Sequence, residues 1–368
     1  MSEIKTKVLE EKINTRINKV LDRGDYVLGN DVIELEKKLA TYTGVKHCLS
    51  CASGTDALLL PLMAKKIGRG DAVFTTSFSF IATAEVISLV GARPIFVDID
   101  KKTFNIDPVD LEDKINKTIK EGIYNPRCII PVNIFGSLAD YQQISEISSK
   151  YNLFVIEDGA QSFGATFQNH KSCSFGDVGA TSFYPAKPLG CYGDGGAVFT
   201  NDDDLYSIMK SIRVHGEGID KYHNDRIGLN SRLDTLQASI LIEKLKIFDE
   251  ELKKRNEIAA LYSALLKDSF SLQYVSRGYV SSWAQFSLLA DNDNKRQLIL
   301  DKLNSKNIPA VIYYSIPLHL QLAFKNLGYK IGDLPNSEDI SKRIFSIPMH
   351  PYLSNSEINK IVEVLIDG

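Results

Sequence analysis

Ser182-Phe-Tyr-Pro-Ala-Lys187-Pro-Leu-Gly-Cys-Tyr-Gly-Asp-Gly-Gly196 sets one lysine between an aromatic, strand-like run and a glycine-rich turn. Thr181 to Tyr184 reads as the end of a strand, and Ala197 to Thr200 as the next one. Between them, Gly190, Gly193, Gly195 and Gly196 let the backbone turn tightly and pass close to a ligand. Their spacing is not G-x-G-x-x-G, so no dinucleotide fingerprint is present. Most lysines are solvated surface charges, but the setting of Lys187 suits an amine that must shed its proton, sheltered from water, to attack a carbonyl.

Upstream, Phe154-Val-Ile-Glu-Asp158-Gly-Ala-Gln161 ends an apolar strand in acids. Ligands of open α/β sheets lie beyond the carboxyl ends of the strands, which puts Asp158 where a site would be. A buried carboxylate there can keep a pyridinium nitrogen protonated, although an aspartate at a strand end also serves as a helix cap. Ser53-Gly54-Thr55-Asp56-Ala57 joins a strand to an apolar helix, whose free N–H groups attract a phosphate. An ordinary capped junction accounts for that segment equally well. G-x-x-x-x-G-K-[ST] is missing, which disfavours nucleoside triphosphate hydrolysis. Ser182, five residues before Lys187, is a candidate for a further phosphate contact. A phosphate cradle, an acid and a lysine, in that order along the chain, suit pyridoxal phosphate (PLP).

Around these segments strands and helices alternate. Strands are expected at Cys48 to Cys51, Ala72 to Thr75, Pro94 to Val97, Cys128 to Val132 and Phe154 to Glu157, with helices starting near Gly54 and at Ala82 to Val90 and Tyr141 to Lys150. This is a βαβ pattern, and it predicts a largely parallel sheet covered on both faces. Ahead of it, Lys5 to Arg23 is helical, and Asp31 is expected to cap a helix from Val32 to Thr43 that stops at Gly44. From Asp234 the texture changes: Thr235 to Tyr262 reads as one long linking helix. A smaller α+β unit follows, with strands near Trp283 to Ala290 and Ala310 to Tyr314. The expected division is a large domain, 1–240, and a small one, 241–368.

The bulk numbers set the limits. At 368 residues the chain is long enough for two domains, and 44% apolar residues supply their cores. Lys plus Arg number 43 against 46 Asp plus Glu, a balance that offers no field for nucleic acid or an anionic membrane. Met1 to Lys7 is charged without an apolar h-region, and no run of about 18 apolar residues follows. A soluble, cytoplasmic protein is expected. Five cysteines, an odd count, fit reduced thiols. Cys48-Leu-Ser-Cys51 has redox or zinc spacing, but no second pair completes a metal set, and a strand points the two thiols to opposite faces.

Asp158-Gly-Ala-Gln161, Ser182-Phe-Tyr-Pro-Ala-Lys187, Gly193-Asp-Gly-Gly196 and Gly228-Leu-Asn230-Ser-Arg232-Leu-Asp234 stand in an order and spacing that resemble the DegT-type nucleotide-sugar aminotransferases. The likeness runs from Gly24-Asp-Tyr-Val-Leu-Gly29 to Ile347-Pro-Met-His350-Pro351. It implies a fold-type I PLP transferase, α/β, with a mostly parallel seven-stranded sheet and a smaller C-terminal α+β domain. It also implies that Lys187 binds PLP as an imine, Asp158 pairs with the pyridine nitrogen, Gln161 contacts the ring hydroxyl and Phe80 stacks on the ring. Gly54, Thr55 and Ser182 would hold the phosphate, joined by Asn230 from the partner of a homodimer. Arg232, also from the partner, would meet a substrate carboxylate, or else form an ion pair at the dimer interface. Tyr313-Tyr314-Ser-Ile-Pro317-Leu-His319 is similar to the family's Y-x-x-P-L-H segment, which implies Tyr313 and His319 in the sugar pocket, a satisfied loop histidine being the alternative. Ala186 departs from the glycine common before the lysine. Lys187 itself argues against the branch of the family that has histidine there and dehydrates its substrates.

Ser50 to Ala57, Lys187 to Gly196 and Asn230 to Ala238 look most like members acting at C3 of UDP-2-acetamido-3-keto sugars, including the uronic acid of bacterial surface polysaccharides. The expected reaction moves an amino group from L-glutamate to that carbon in two ping-pong stages. Its rivals are a C4-aminotransferase on a UDP- or dTDP-4-keto-6-deoxy sugar, and a non-catalytic regulatory protein of the same fold.

Overall fold

The computed structural model describes residues 2–366; Met1, the start of the charged N-terminal stretch, lies outside them. The central sheet has seven strands: β1 (His47–Cys51), β2 (Asp71–Thr76), β3 (Arg93–Val97), β4 (Asn125–Ile130), β5 (Phe154–Asp158), β6 (Val178–Ser182) and β7 (Gly196–Thr200). Their spatial order is β1-β7-β6-β5-β4-β2-β3. β7 runs antiparallel to both its neighbours, and the remaining pairs are parallel. Parallel neighbours need crossovers, which helices such as Gly54–Ala64, Ala82–Leu89 and Tyr141–Tyr151 supply. Between β6 and β7 there is only a returning loop, so that pair is antiparallel. The lysine-bearing segment is this loop, with its ends fixed by the pairing of Ser182 with Gly196.

Period-two alternation divides the sheet's contacts between two cores. Leu49 and Cys51 pack on one face with Leu58, Leu62 and Ile156. Cys48 packs on the other with Phe163, Phe183 and Phe199. The two thiols therefore point apart as expected, and all five cysteines are free and buried. Two helices beyond the sequence reading complete the layers: Pro108–Glu121, capped by Asp107, and Asp203–Ile212, capped by Asp202.

Three expectations are corrected. Asp31 does not cap its helix, which runs Asn30–Thr43 with Gly29 at the cap position. Its buried carboxylate is taken instead by Arg16 (2.6 Å) and Arg23 of the preceding helix. The stop at Gly44 holds, with that glycine left-handed at φ 80°. The single helix expected over Thr235 to Tyr262 is two, Thr235–Leu245 and Phe248–Leu266. The chain leaves helical geometry at Ile247 (ψ 3°), and Phe248 seats against Phe163 and Tyr42 at 5.8 and 5.9 Å. Finally, Ala310 to Tyr314 is no strand; only Val311 bridges to Ser346 before Tyr314 is laid edge-on against Phe78 (5.9 Å).

In the C-terminal α+β unit, Phe286–Leu289 pairs antiparallel with Ile344–Ile347 and with Ser271–Leu272. Helix Phe248–Leu266 ties the unit to the large sheet. Phe248 and Leu252 belong to the core around Phe163, whereas Ile258, Tyr262 and Leu266 pack with Phe286 and Phe345. Position 240/241 falls inside helix Thr235–Leu245, whose Ala238, Leu241 and Ile242 all rest on the large sheet's core. Among the described residues no helix is long and apolar enough to cross a membrane.

Candidate active site

Asp158 is the last residue of β5, at the carboxyl end of a parallel strand. The residues after it form a turn and not an α-helix, so the capping alternative does not apply. One carboxylate oxygen accepts from Thr83 Oγ1 (2.7 Å) and the other from the Ala160 N–H (3.1 Å). Burial raises the Asp158 pKa, against which Thr83, the Ala160 N–H and the charge of Lys187 all work. Lys187 sits in the β6–β7 loop, its backbone N–H donating to Tyr184 O (2.8 Å). Burial lowers its pKa, with Asp158 opposing. The two groups thus see each other in a poorly solvated site, and the amine is biased towards its neutral, nucleophilic form.

Gly54 opens its helix beside β6 with no room to spare. A Cβ there would stand 2.6 Å from the Cβ of Ser182, and one on Gly196 would stand 2.3 Å from Ser53 O. Ser53 caps the helix by accepting from the Asp56 N–H (3.1 Å). The N–H groups of Gly54 and Thr55 precede any intrahelical partner and face this junction with Ser182. Gly54, Thr55 and Ser182 are therefore brought together, although 128 residues separate the first from the last.

Phe80, just beyond β2, is 56% exposed, an uncovered aromatic face near the strand ends. Gln161 is buried, its Oε1 accepting from the Phe135 N–H (2.7 Å) and its Nε2 donating to Tyr314 Oη (3.1 Å). Tyr313 is partly buried and stands edge-on to Tyr314 at 5.8 Å. Asn230 is exposed and bridges to Val214. Arg232 is partly exposed and makes no ion pair among the described residues.

His319 departs from the sugar-pocket expectation. It is 2% exposed, with Nδ1 2.6 Å from Ser77 Oγ and Nε2 3.1 Å from Glu338 Oε1. Both ring nitrogens are engaged inside the protein, so it is the satisfied histidine and not a free ligand. Thr83 and Tyr314 are the site residues that sequence reasoning missed. Thr83 lies 75 residues from the carboxylate it touches, and no local pattern signals such a pairing.

A lysine whose pKa burial lowers, a buried acid at a strand end and a tight helix start at Gly54 lie together at the carboxyl edge of the sheet of an α/β protein. The chain belongs to the DegT/DnrJ/EryC1/StrS aminotransferase family, whose pattern matches residues 7–366. It is 44% identical over 97% of its length to 96% of the UDP-2-acetamido-2-deoxy-3-oxo-D-glucuronate aminotransferase of Pseudomonas aeruginosa. A pleiotropic regulatory protein of Geobacillus stearothermophilus is 38% identical, with 97% of this chain and 95% of that one aligned. The UDP-N-acetyl-3-dehydro-alpha-D-glucosamine 3-aminotransferase of Acidithiobacillus ferrooxidans is also 38% identical, covering 97% and 94%. Among solved structures, a family aminotransferase from Brucella abortus superposes with a TM-score of 0.96 at 49% identity, covering 98% and 96% of the chains. The ntda protein of Bacillus subtilis, solved with bound cofactor pmp, gives 0.86 at 29% identity, covering 97% and 81%.

Proposed function

We propose that the chain transfers an amino group from L-glutamate to C3 of a UDP-linked 2-acetamido-3-keto sugar, the uronic acid first among them, for bacterial surface polysaccharide precursors. The observation that carries this reading is the buried Asp158 carboxylate, held by Thr83 at the end of β5, with Lys187 within reach of its charge. The names of the Pseudomonas and Acidithiobacillus relatives, both of which act at C3 of a UDP sugar, support the substrate class.

The residues fit PLP. The Asp158 carboxylate, held by Thr83, would serve as the counter-charge of a ring nitrogen, and Gly54, Thr55 and Ser182 would supply donors for a phosphate. PLP, when bound, supplies an electron sink for the carbon that gains or loses the amino group. Lys187 would hold the cofactor in the resting enzyme and, as a free amine, would move the proton at the reacting carbon. Exposed Phe80 would stack on the ring, and Gln161, which donates to Tyr314 Oη, would contact its hydroxyl. Arg232 is assigned to a substrate carboxylate, Asn230 to the phosphate of the second copy in a homodimer, and Tyr313 to the sugar. Exposed Ile219 (94%), Tyr222 (87%) and Ile227 (87%) in the segment before Asn230 support an interface there. The working division into two units is placed within helix Phe248–Leu266, where its packing passes from one core to the other.

The regulatory reading is favoured only by relatives' names, a pleiotropic regulatory protein and a sensory transduction protein among them, and the presence of both Lys187 and buried Asp158 speaks against it. Purified protein with PLP and glutamate is to be offered 3-keto and 4-keto sugar nucleotides, with mass spectrometry of the products. Amino sugar from the 3-keto compound with matching 2-oxoglutarate is expected. Amination of the 4-keto sugar alone refutes the regiochemistry, and PLP binding without any amination supports the regulatory reading.

A further inference from the structure

The turn Pro317–Leu320 packs Leu318 in the cluster with Phe96 of β3 and is hydrogen-bonded to Ser77, directly after β2. His319 Nδ1 lies 2.6 Å from Ser77 Oγ, and Leu318 N donates to Ser77 O (2.7 Å). On the far side of the imidazole, Nε2 meets Glu338 Oε1 at 3.1 Å. Glu338 is itself fixed, accepting from the Gly332 N–H (2.8 Å) and the Leu334 N–H (3.3 Å). A carboxylate can only accept, so Nε2 carries the proton and Nδ1 accepts from the serine hydroxyl. Burial also lowers the His319 pKa, with Glu338 opposing, in keeping with a neutral ring.

Ser77 stands three residues before Phe80, so this relay anchors the segment that presents the exposed ring. A few residues upstream of His319, Tyr314 receives the Gln161 Nε2 hydrogen bond (3.1 Å) and packs edge-on against Phe78 (5.9 Å). One short stretch therefore holds both segments that the proposed function places against the cofactor ring. We infer that Ser77, His319, Glu338 and Tyr314 form a clasp of positioning residues, through which the C-terminal unit sets Phe80 and Gln161 for gripping the cofactor. The inference rests on the PLP reading above.

The test uses the full-length protein as Ser77→Ala, His319→Gln and His319→Asn. Glutamine keeps a donor towards Glu338 but gives up the acceptor at Ser77, whereas asparagine keeps the acceptor at Ser77. Ser77→Ala removes the bond to Nδ1 and a longer one from the His319 N–H (3.4 Å), and His319→Gln removes the acceptor, so each should weaken PLP binding about three- to tenfold and reduce its visible circular dichroism. The double variant should be no weaker than either single, and His319→Asn should restore most of the binding. At saturating PLP the KM for the keto-sugar should change by less than about twofold. Unchanged PLP affinity in Ser77→Ala overturns the clasp, as does a raised sugar KM with cofactor affinity intact, which returns His319 to the substrate. Should His319→Gln fail to fold, Ser77→Ala decides alone, since it removes a single hydroxyl. A wild-type protein that binds no PLP sinks the proposed function and the clasp together; normal wild-type binding with indifferent variants sinks only the clasp.

Discussion

Substituting Gly54 with alanine tests whether the helix start is a phosphate cradle or an ordinary junction. Gly54 does not have a positive φ, so alanine meets no backbone strain there and the cost is one of space. The new Cβ would sit 2.6 Å from Ser182 Cβ, 3.0 Å from its Oγ and 3.2 Å from its Cα. Carbon contacts settle at about 3.5–4.0 Å, so the helix start and strand must part by about 1 Å. Ser182 cannot yield easily, because it is paired with Gly196, which is itself pressed against Ser53 O. Overpacking of this kind costs about 1–3 kcal/mol, offset by up to about 1 kcal/mol from alanine's better helix propensity. The apo-protein should therefore lose no more than about 3 kcal/mol. The cradle suffers more: displacing even one charge-assisted hydrogen bond costs about 1.5–3 kcal/mol, or roughly 10- to 100-fold in PLP affinity. Absorbance titration of the apo-protein measures that loss, with urea denaturation in parallel. Pyridoxal, which lacks the phosphate, should bind wild type and variant alike. PLP affinity within about twofold of wild type, or an equal loss for pyridoxal, would refute the reasoning.

Lys187→Ala should abolish both turnover and the visible absorbance of a lysine-linked cofactor; turnover retained in the purified protein removes the assignment. Asp158→Asn should cut turnover at least about a hundredfold while stabilising the apo-protein at neutral pH. The sign follows from proton uptake: with its pKa raised above 3.8 by burial, folded Asp158 holds its proton where the unfolded chain has released it. Its effect on stability therefore worsens as pH rises through the folded pKa, and the asparagine variant should lack that decline in denaturation curves taken across pH. Cys48→Ser and Cys51→Ser should leave the rate unchanged, because both thiols are buried on opposite faces of β1 with pKa values pushed up by burial. A lost rate would revive the redox reading.

Much of this protein was written in local pattern. Alternation of apolar runs with capped helices specified the parallel sheet, since parallel strands require crossovers of helical length. Asp158, Ser182 and Lys187 were legible as a candidate site because strand ends and glycine turns are local features. Tertiary structure decided what depends on partners distant in sequence. Asp31 could have capped its own helix, but two arginines of the preceding helix compete for its carboxylate. The helix expected to run unbroken from Thr235 gives way at Ile247, where docking Phe248 into an aromatic cluster outweighs continuation. His319 was read beside the sugar because its neighbours resemble a pocket motif. Its buried ring is committed instead to Ser77, 242 residues away, and to Glu338, 19 residues away. A side chain's type limits what it can bond, and sequence reveals the type; which bond it makes is settled only when folding brings one candidate within about 3 Å and excludes water.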